Sequence, residues 1–164
     1  MILTDPRKSR GLLVDTNLLV PLTIGTLNIS YVEENKRTAG HYTIEDFNLL
    51  LETIDQFQVL VVTPNILTEA SNLLAGISYK GVDALSILMG IAIKMDETHR
   101  DSLSIMQNYS RSYTKFGLTD AVLHAMVTEN YIVLTQDLRL CSYLEGLGLR
   151  VLNFNNFRTN NLLY

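Results

Sequence analysis

Gly11-Leu12-Leu13-Val14-Asp15 is a short apolar run without alternation, and it ends in a carboxylate. A strand buried on one face alternates apolar and polar residues, whereas an unbroken apolar run is the pattern of a strand covered on both faces of a parallel sheet. Two further segments repeat it: Val59 to Val62, closed by Thr63-Pro64, and Tyr131 to Leu134, closed by Thr135-Gln136-Asp137. Leu149 to Leu152 is a weaker fourth. Between these runs the apolar period lengthens to that of helices. Thr43 is placed to cap a helix whose apolar positions Ile44, Phe47, Leu50, Leu51, Ile54 and Phe57 recur at three and four residue intervals. Thr63-Pro64 opens another, with Ile66, Leu67, Ala70, Leu73 and Leu74 as its stripe and Gly76 as its stop. Val82 to Met95 and His99 to Tyr113 read as two more, bounded by Gly81, Asp96 to Thr98 and Gly117. Thr119 caps a helix running to Asn130, and a further helix spans Asp137 to Leu147. Thr23 to Tyr42 is the least regular part, and the residues after Asn153 read as a short helix or a tail. Strands alternating with helices predict an α/β domain with a mostly parallel sheet and right-handed crossovers.

Composition narrows the class. A chain of 164 residues, 47% apolar and 18% charged, fits one globular domain with a full core. Its apolar runs are far shorter than the ~20 residues that span a bilayer. Met1 to Arg10 carries charge and leads into an apolar run broken by Asp15, which does not read as a secretory signal, so the expected location is the cytoplasm. The single cysteine, Cys141, can form no internal disulfide, and no Cys/His cluster has zinc-ligand spacing. A net charge of −4 argues against a protein that coats nucleic acid. Bound cations reverse the field of an acidic site, however, so the balance does not exclude a nuclease.

In an open parallel sheet, ligand sites form beyond the carboxyl ends of the strands. Asp15 ends the first predicted strand, and Asp137 follows the Tyr131 strand. Asp120 opens the helix that leads to that strand, and Glu69 lies early in the helix leaving the Val59 strand. All four are expected on one rim. Mg²⁺ and Mn²⁺ take oxygen ligands and are commonly held by a few carboxylates, waters and a substrate phosphate. Each acid has a simpler use too. Asp15 and Asp137 suit helix caps, Asp120 suits the negative charge favoured in a first turn, and Glu69 suits a solvated helix face beside Asn65 and Asn72. The functional reading therefore rests on their joint placement.

At this point the residues resemble the PIN domain, and most of all its small single-domain ribonucleases, the VapC-type toxins of prokaryotic toxin-antitoxin pairs. Leu13-Val-Asp15-Thr-Asn17-Leu-Leu resembles the family's opening strand and first acid. Thr63-Pro-Asn-Ile-Leu-Thr-Glu69 is similar to the start of the helix carrying the second. Gly117-Leu-Thr-Asp120-Ala-Val-Leu-His-Ala125 is similar to the segment bearing the third, and Val133-Leu-Thr135-Gln-Asp137 to the T-x-D that supplies the fourth. The matches extend from Leu12 to about Asn153. The resemblance implies a three-layer α/β/α fold with roughly four or five strands, an acidic pocket for Mg²⁺ or Mn²⁺, and endoribonuclease activity. Asp15, Asp120 and Asp137 would be the nearer metal ligands, Glu69 would bind directly or through water, and Asn17 and Thr135 would position those carboxylates. It also implies a homodimer and, for a toxin, inhibition by a cognate antitoxin. The long irregular Thr23 to Tyr42 stretch departs from the compact opening of many such toxins.

Arg111 and Lys115, one turn apart before the Asp120 segment, are candidate phosphate contacts, as is Lys36-Arg37; a solvated basic face is the alternative. Tyr109 and Tyr113 could stack on bases or pack in the core, and His124 could touch the site or be a structural histidine. Three functional rivals remain: a receiver-like signalling domain, for which no Lys follows Val133-Leu134; a PIN-like scaffold that binds RNA or protein without cutting; and a PIN-like DNA nuclease.

Overall fold

The computed structural model describes residues 8–35 and 42–161, so the Lys36-Arg37 pair lies outside the described residues. In chain order the elements are β1 (Leu12–Val14), α1 (Thr16–Leu27), α2 (Tyr31–Glu34), α3 (Ile44–Ile54), β2 (Leu60–Val62), α4 (Pro64–Leu74), β3 (Ser78–Tyr79), β4 (Val82–Asp83), α5 (Ala84–Ala92), β5 (Asp96–Glu97), α6 (Ser102–Asn108), α7 (Ser110–Phe116), α8 (Leu118–Thr128), β6 (Ile132–Thr135), α9 (Leu138–Gly146), β7 (Val151–Asn153) and α10 (Phe154–Asn161). The central sheet has five strands in the order β5-β2-β1-β6-β7, every pair parallel. Helices flank it in the expected three-layer α/β/α arrangement, with α1 packed against α3, α4 and α5, and α8 against α6 and α7.

The unbroken apolar runs are the inner strands. Leu12 pairs with Leu60 on one side and Ile132 on the other, and Leu12, Leu13, Ile132, Val133 and Leu134 are fully buried. β5 is a fifth strand where Asp96 to Thr98 reads as a break between helices. Its two residues are exposed and acidic, so no apolar pattern marks them.

Three local expectations change. The segment from Thr23 is not irregular at its start, because α1 runs through Pro21 to Leu27 with Leu18, Leu19 and Ile24 all buried. A helix covered on every side has no polar face, and so no period to read. Gly25 lets α3 approach: a Cβ there would stand 2.3 Å from the Phe47 ring. Next, Gly81 does not bound a helix but turns the β3-β4 hairpin, where Lys80 and Gly81 both take positive φ, 48° and 82°. That pair of left-handed residues matches the right-handed twist of adjoining strands. Finally, residues 99–113 hold two helices, α6 and α7, hinged at Tyr109 with φ −119° and ψ 35°. Among the described residues no helix is long and apolar enough to cross a membrane.

Candidate functional site

The sheet order places β1 and β6 side by side, with the chain running outward from β1 to β2 and β5 on one side and from β6 to β7 on the other. Such a reversal opens a crevice at the carboxyl ends of the two middle strands. Asp15 follows β1 and Asp137 follows β6, so they stand on either side of that crevice. α8 runs back toward the start of β6, which puts its first turn and Asp120 at the same edge, and α4 leaves β2 there with Glu69 in its second turn.

Asp15 is 5% exposed and its carboxylate is held from three directions. Oδ1 accepts from the Thr16 amide at 2.7 Å, while Oδ2 accepts from the Thr135 hydroxyl at 2.6 Å and from Asn17 Nδ2 at 2.8 Å. Thr135 Oγ1 in turn accepts from Asn17 Nδ2 at 3.1 Å and from the Asp137 amide at 3.0 Å. One buried hydroxyl thereby links both acids of the crevice. Asn17 is fixed further by the Gln136 amide, 3.4 Å from its Oδ1, and the Tyr42 hydroxyl donates to Gln136 and to the Asn17 carbonyl.

Glu69 is exposed, yet both its oxygens are taken: Oε2 accepts from the Thr16 hydroxyl at 3.0 Å and Oε1 from the Thr119 hydroxyl. Thr119 is therefore not the cap of α8. That helix begins at Leu118 behind Gly117, whose φ of 95° and ψ of −178° belong to glycine alone, and no side chain caps it. Thr16 and Thr119 escape sequence reading because a hydroxyl near a helix start looks like a cap. Asp137 does cap α9, its Oδ1 accepting from the amides of Arg139 at 2.7 Å and Leu140 at 3.1 Å, so capping and a place at the crevice coincide in one side chain.

Asp120 differs from the other three. It is half-buried and accepts no hydrogen bond from any described residue. Withdrawal from water, with added repulsion from Asp15, Asp137 and Glu69, pushes its pKa up to about 7. Asp15 is raised to about 6, chiefly by burial and further by Glu69 and Asp137, against the lowering effect of its Thr135 and Thr16 hydrogen bonds. Among the described residues none of the four acids pairs with an arginine or lysine: the ion pairs there join Arg10 and Arg100 to Glu129 and Arg158 to Asp46. The charges of Glu69 and Asp137 thus reach both Asp15 and Asp120. Yet no three His, Cys, Asp or Glu side chains among the described residues are grouped tightly enough to hold a metal ion by themselves. The donors are hard oxygens, and Mg²⁺ or Mn²⁺ fits such a set through one or two carboxylates with the remaining positions filled by water or phosphate.

The other candidates separate. Arg111 is exposed on α7, while Lys115 lines a groove beside α9. His124 binds Ser112, Nδ1 to Oγ at 2.6 Å, and meets the Tyr109 and Tyr143 rings edge-on, the surroundings of a structural histidine. Tyr109 packs against the core and pairs its hydroxyl with Thr128, and Tyr113 also packs against the core. No protein-family model matches the chain, and no curated protein sequence matches it either.

Proposed function

We propose that this chain is a metal-dependent endoribonuclease of the PIN type, in which Asp15, Glu69, Asp120 and Asp137 bind Mg²⁺ or Mn²⁺ and hydrolyse phosphodiester bonds in RNA. The observation that carries the reading is Asp120, a half-buried carboxylate facing three others with neither a donor nor a cation beside it among the described residues. Burying an unpaired charge is costly, and an acid used only for structure would gain a partner or be replaced. A divalent cation held by these acids would supply the missing compensation, together with the chemistry of an activated water and a neutralised leaving oxygen.

The chain's own groups prepare that site. Asp15 is held rigidly by Thr16, Asn17 and Thr135, which use three of its roughly four acceptor positions and leave about one for a ligand. Asp137 commits Oδ1 to backbone amides, and no described residue donates to Oδ2. Glu69, anchored by Thr16 and Thr119, is the acid we assign to orienting an attacking water. With such a ligand set no nucleophilic serine or cysteine is needed.

Mn²⁺-dependent cleavage of a mixed single-stranded RNA pool, lost in Asp120→Asn and Asp15→Asn while the circular dichroism spectrum persists, is the expected result. Absence of cleavage with either Mg²⁺ or Mn²⁺ would end the enzymatic reading. A toxin role and an antitoxin partner belong to the same proposal; growth arrest on expression, relieved by a small neighbouring gene, tests them. Sedimentation of the purified chain tests the homodimer.

A further inference from the structure

Between α7 and α9 lies an open groove of about 440 Å³ lined by Lys115, Leu138, Arg139, Ser142 and Tyr143. Its lining begins at the residue directly after Asp137, so a basic groove adjoins the acidic crevice. Both cations sit over aromatic rings. The Lys115 ammonium is 4.9 Å from the Phe116 ring centre and 5.2 Å from that of Tyr143, and the Arg139 guanidinium is 5.7 Å from Phe116. Neither forms a salt bridge among the described residues. A ring holds a cation through its quadrupole without neutralising it, unlike a carboxylate. Two full positive charges are thus positioned yet unspent.

The rings beneath them are tied into the fold. Phe116 and Tyr143 pack with centres 5.2 Å apart, Tyr143 meets His124 at 5.5 Å, and His124 is fixed by Ser112. An acidic crevice alone repels a polyanion, whereas a fixed basic groove next to it gives the strand a place to anchor. Resting on the nuclease reading, we infer that the Lys115–Arg139 groove binds the backbone phosphates of single-stranded RNA beside the cleavage position, with Ser142 as a further donor. The ring faces already carry cations, so the groove grips phosphate rather than stacking bases and should tolerate any sequence. Exposed Leu138, 60% accessible, offers the apolar surface on which a neighbouring base can rest.

Fluorescence anisotropy with a labelled single-stranded oligouridylate in EDTA measures this apart from cleavage. Lys115→Ala and Arg139→Ala should each weaken binding about tenfold at low salt and reduce the dependence of log K on log salt by about 0.7 per charge lost. Arg139→Lys, which keeps the charge, should preserve the salt dependence, and Ser142→Arg should tighten binding without removing any packing. Lys94→Ala, an exposed cation ahead of the far edge strand β5, should change nothing. Unaltered affinity and salt dependence in both groove variants overturns the inference, as does an equal loss in Lys94→Ala, tighter binding of duplex DNA through the same residues, or no binding by the unmodified chain. A chain that binds through the groove yet cuts nothing with Mn²⁺ refutes the catalytic reading and leaves the groove standing. One that cuts while both groove variants bind normally refutes the groove alone.

Discussion

Asp46 and Asp120 each stand in the first turn of a helix, α3 and α8, and both are withdrawn from water. Asp46 is fully provided for. It closes a capping box with Thr43, and Arg158 grips both its oxygens at 2.9 Å, tying α10 to α3. Asp120 has no donor among the described residues and faces three other carboxylates. The same residue at the same place in a helix is thus a clasp in one case and an unmet demand in the other. Position along a helix does not distinguish them, but the charge that tertiary structure brings to each does.

The largest expected effect separates the two aspartates by activity. Asp120→Asn should lower Mn²⁺-dependent RNA cleavage by about a hundredfold or more, while the melting temperature of the metal-free protein holds or rises, since the change removes repulsion. A variant that melts early without losing cleavage would make Asp120 a second clasp. Arg158→Ala should behave in the opposite way. It leaves Asp46 unpaired and should cost about 2 kcal/mol in chemical denaturation, between the values for exposed and fully buried pairs, with the cleavage rate per folded molecule unchanged.

A smaller effect probes the hydroxyls that hold Glu69. Thr16→Val and Thr119→Val each remove one donor, and about tenfold slower cleavage is expected from initial rates, with weaker Mn²⁺ dependence. Thr135→Val should do the same through Asp15.

The smallest effect is one of pH. Folded Asp120 keeps its proton up to about 7 whereas an ordinary aspartate releases it near 3.8, and Asp15 keeps its own to about 6. Between those values the folded chain binds more protons than the unfolded one, so stability falls as pH rises from about 4, to about 6 through Asp15 and to about 7 through Asp120. Below that window the penalty is absent, and above it the penalty is complete. Melting curves in EDTA should show this fall flattened in Asp120→Asn, and Mg²⁺ should raise the melting temperature of the unmodified chain at pH 7 but not of the variant. An unchanged slope in the variant would mean that burial and repulsion together do not raise the Asp120 carboxyl.

What the sequence could disclose followed from burial. β1, β2 and β6 were legible because strands covered on both faces must be apolar throughout, and the acids closing or flanking them mark the sheet's carboxyl edge. α1 was largely hidden for the same reason, since surrounding it with core erased its polar face. β5 left no apolar trace because it is a two-residue exposed edge. In the site, the four acids could be named from their places at strand ends and helix starts. The bonds of Thr16 and Thr119 to Glu69 could not, because they join residues 53 and 50 positions apart. Arg139 does not stand out in the sequence for a similar reason: a charge just inside a helix reads as solvated until Phe116, from another helix, is brought beneath it.

The border strand β5 has a bearing on behaviour at high concentration. Its two residues, Asp96 and Glu97, are both exposed, and their outer edge is the place where a foreign strand would join the sheet. A newcomer would find a ladder too short to hold it and two negative side chains in its way. Fibrillar growth through that border is disfavoured, which leaves β7, at the opposite end of the strand order, as the edge where a foreign strand would meet less resistance.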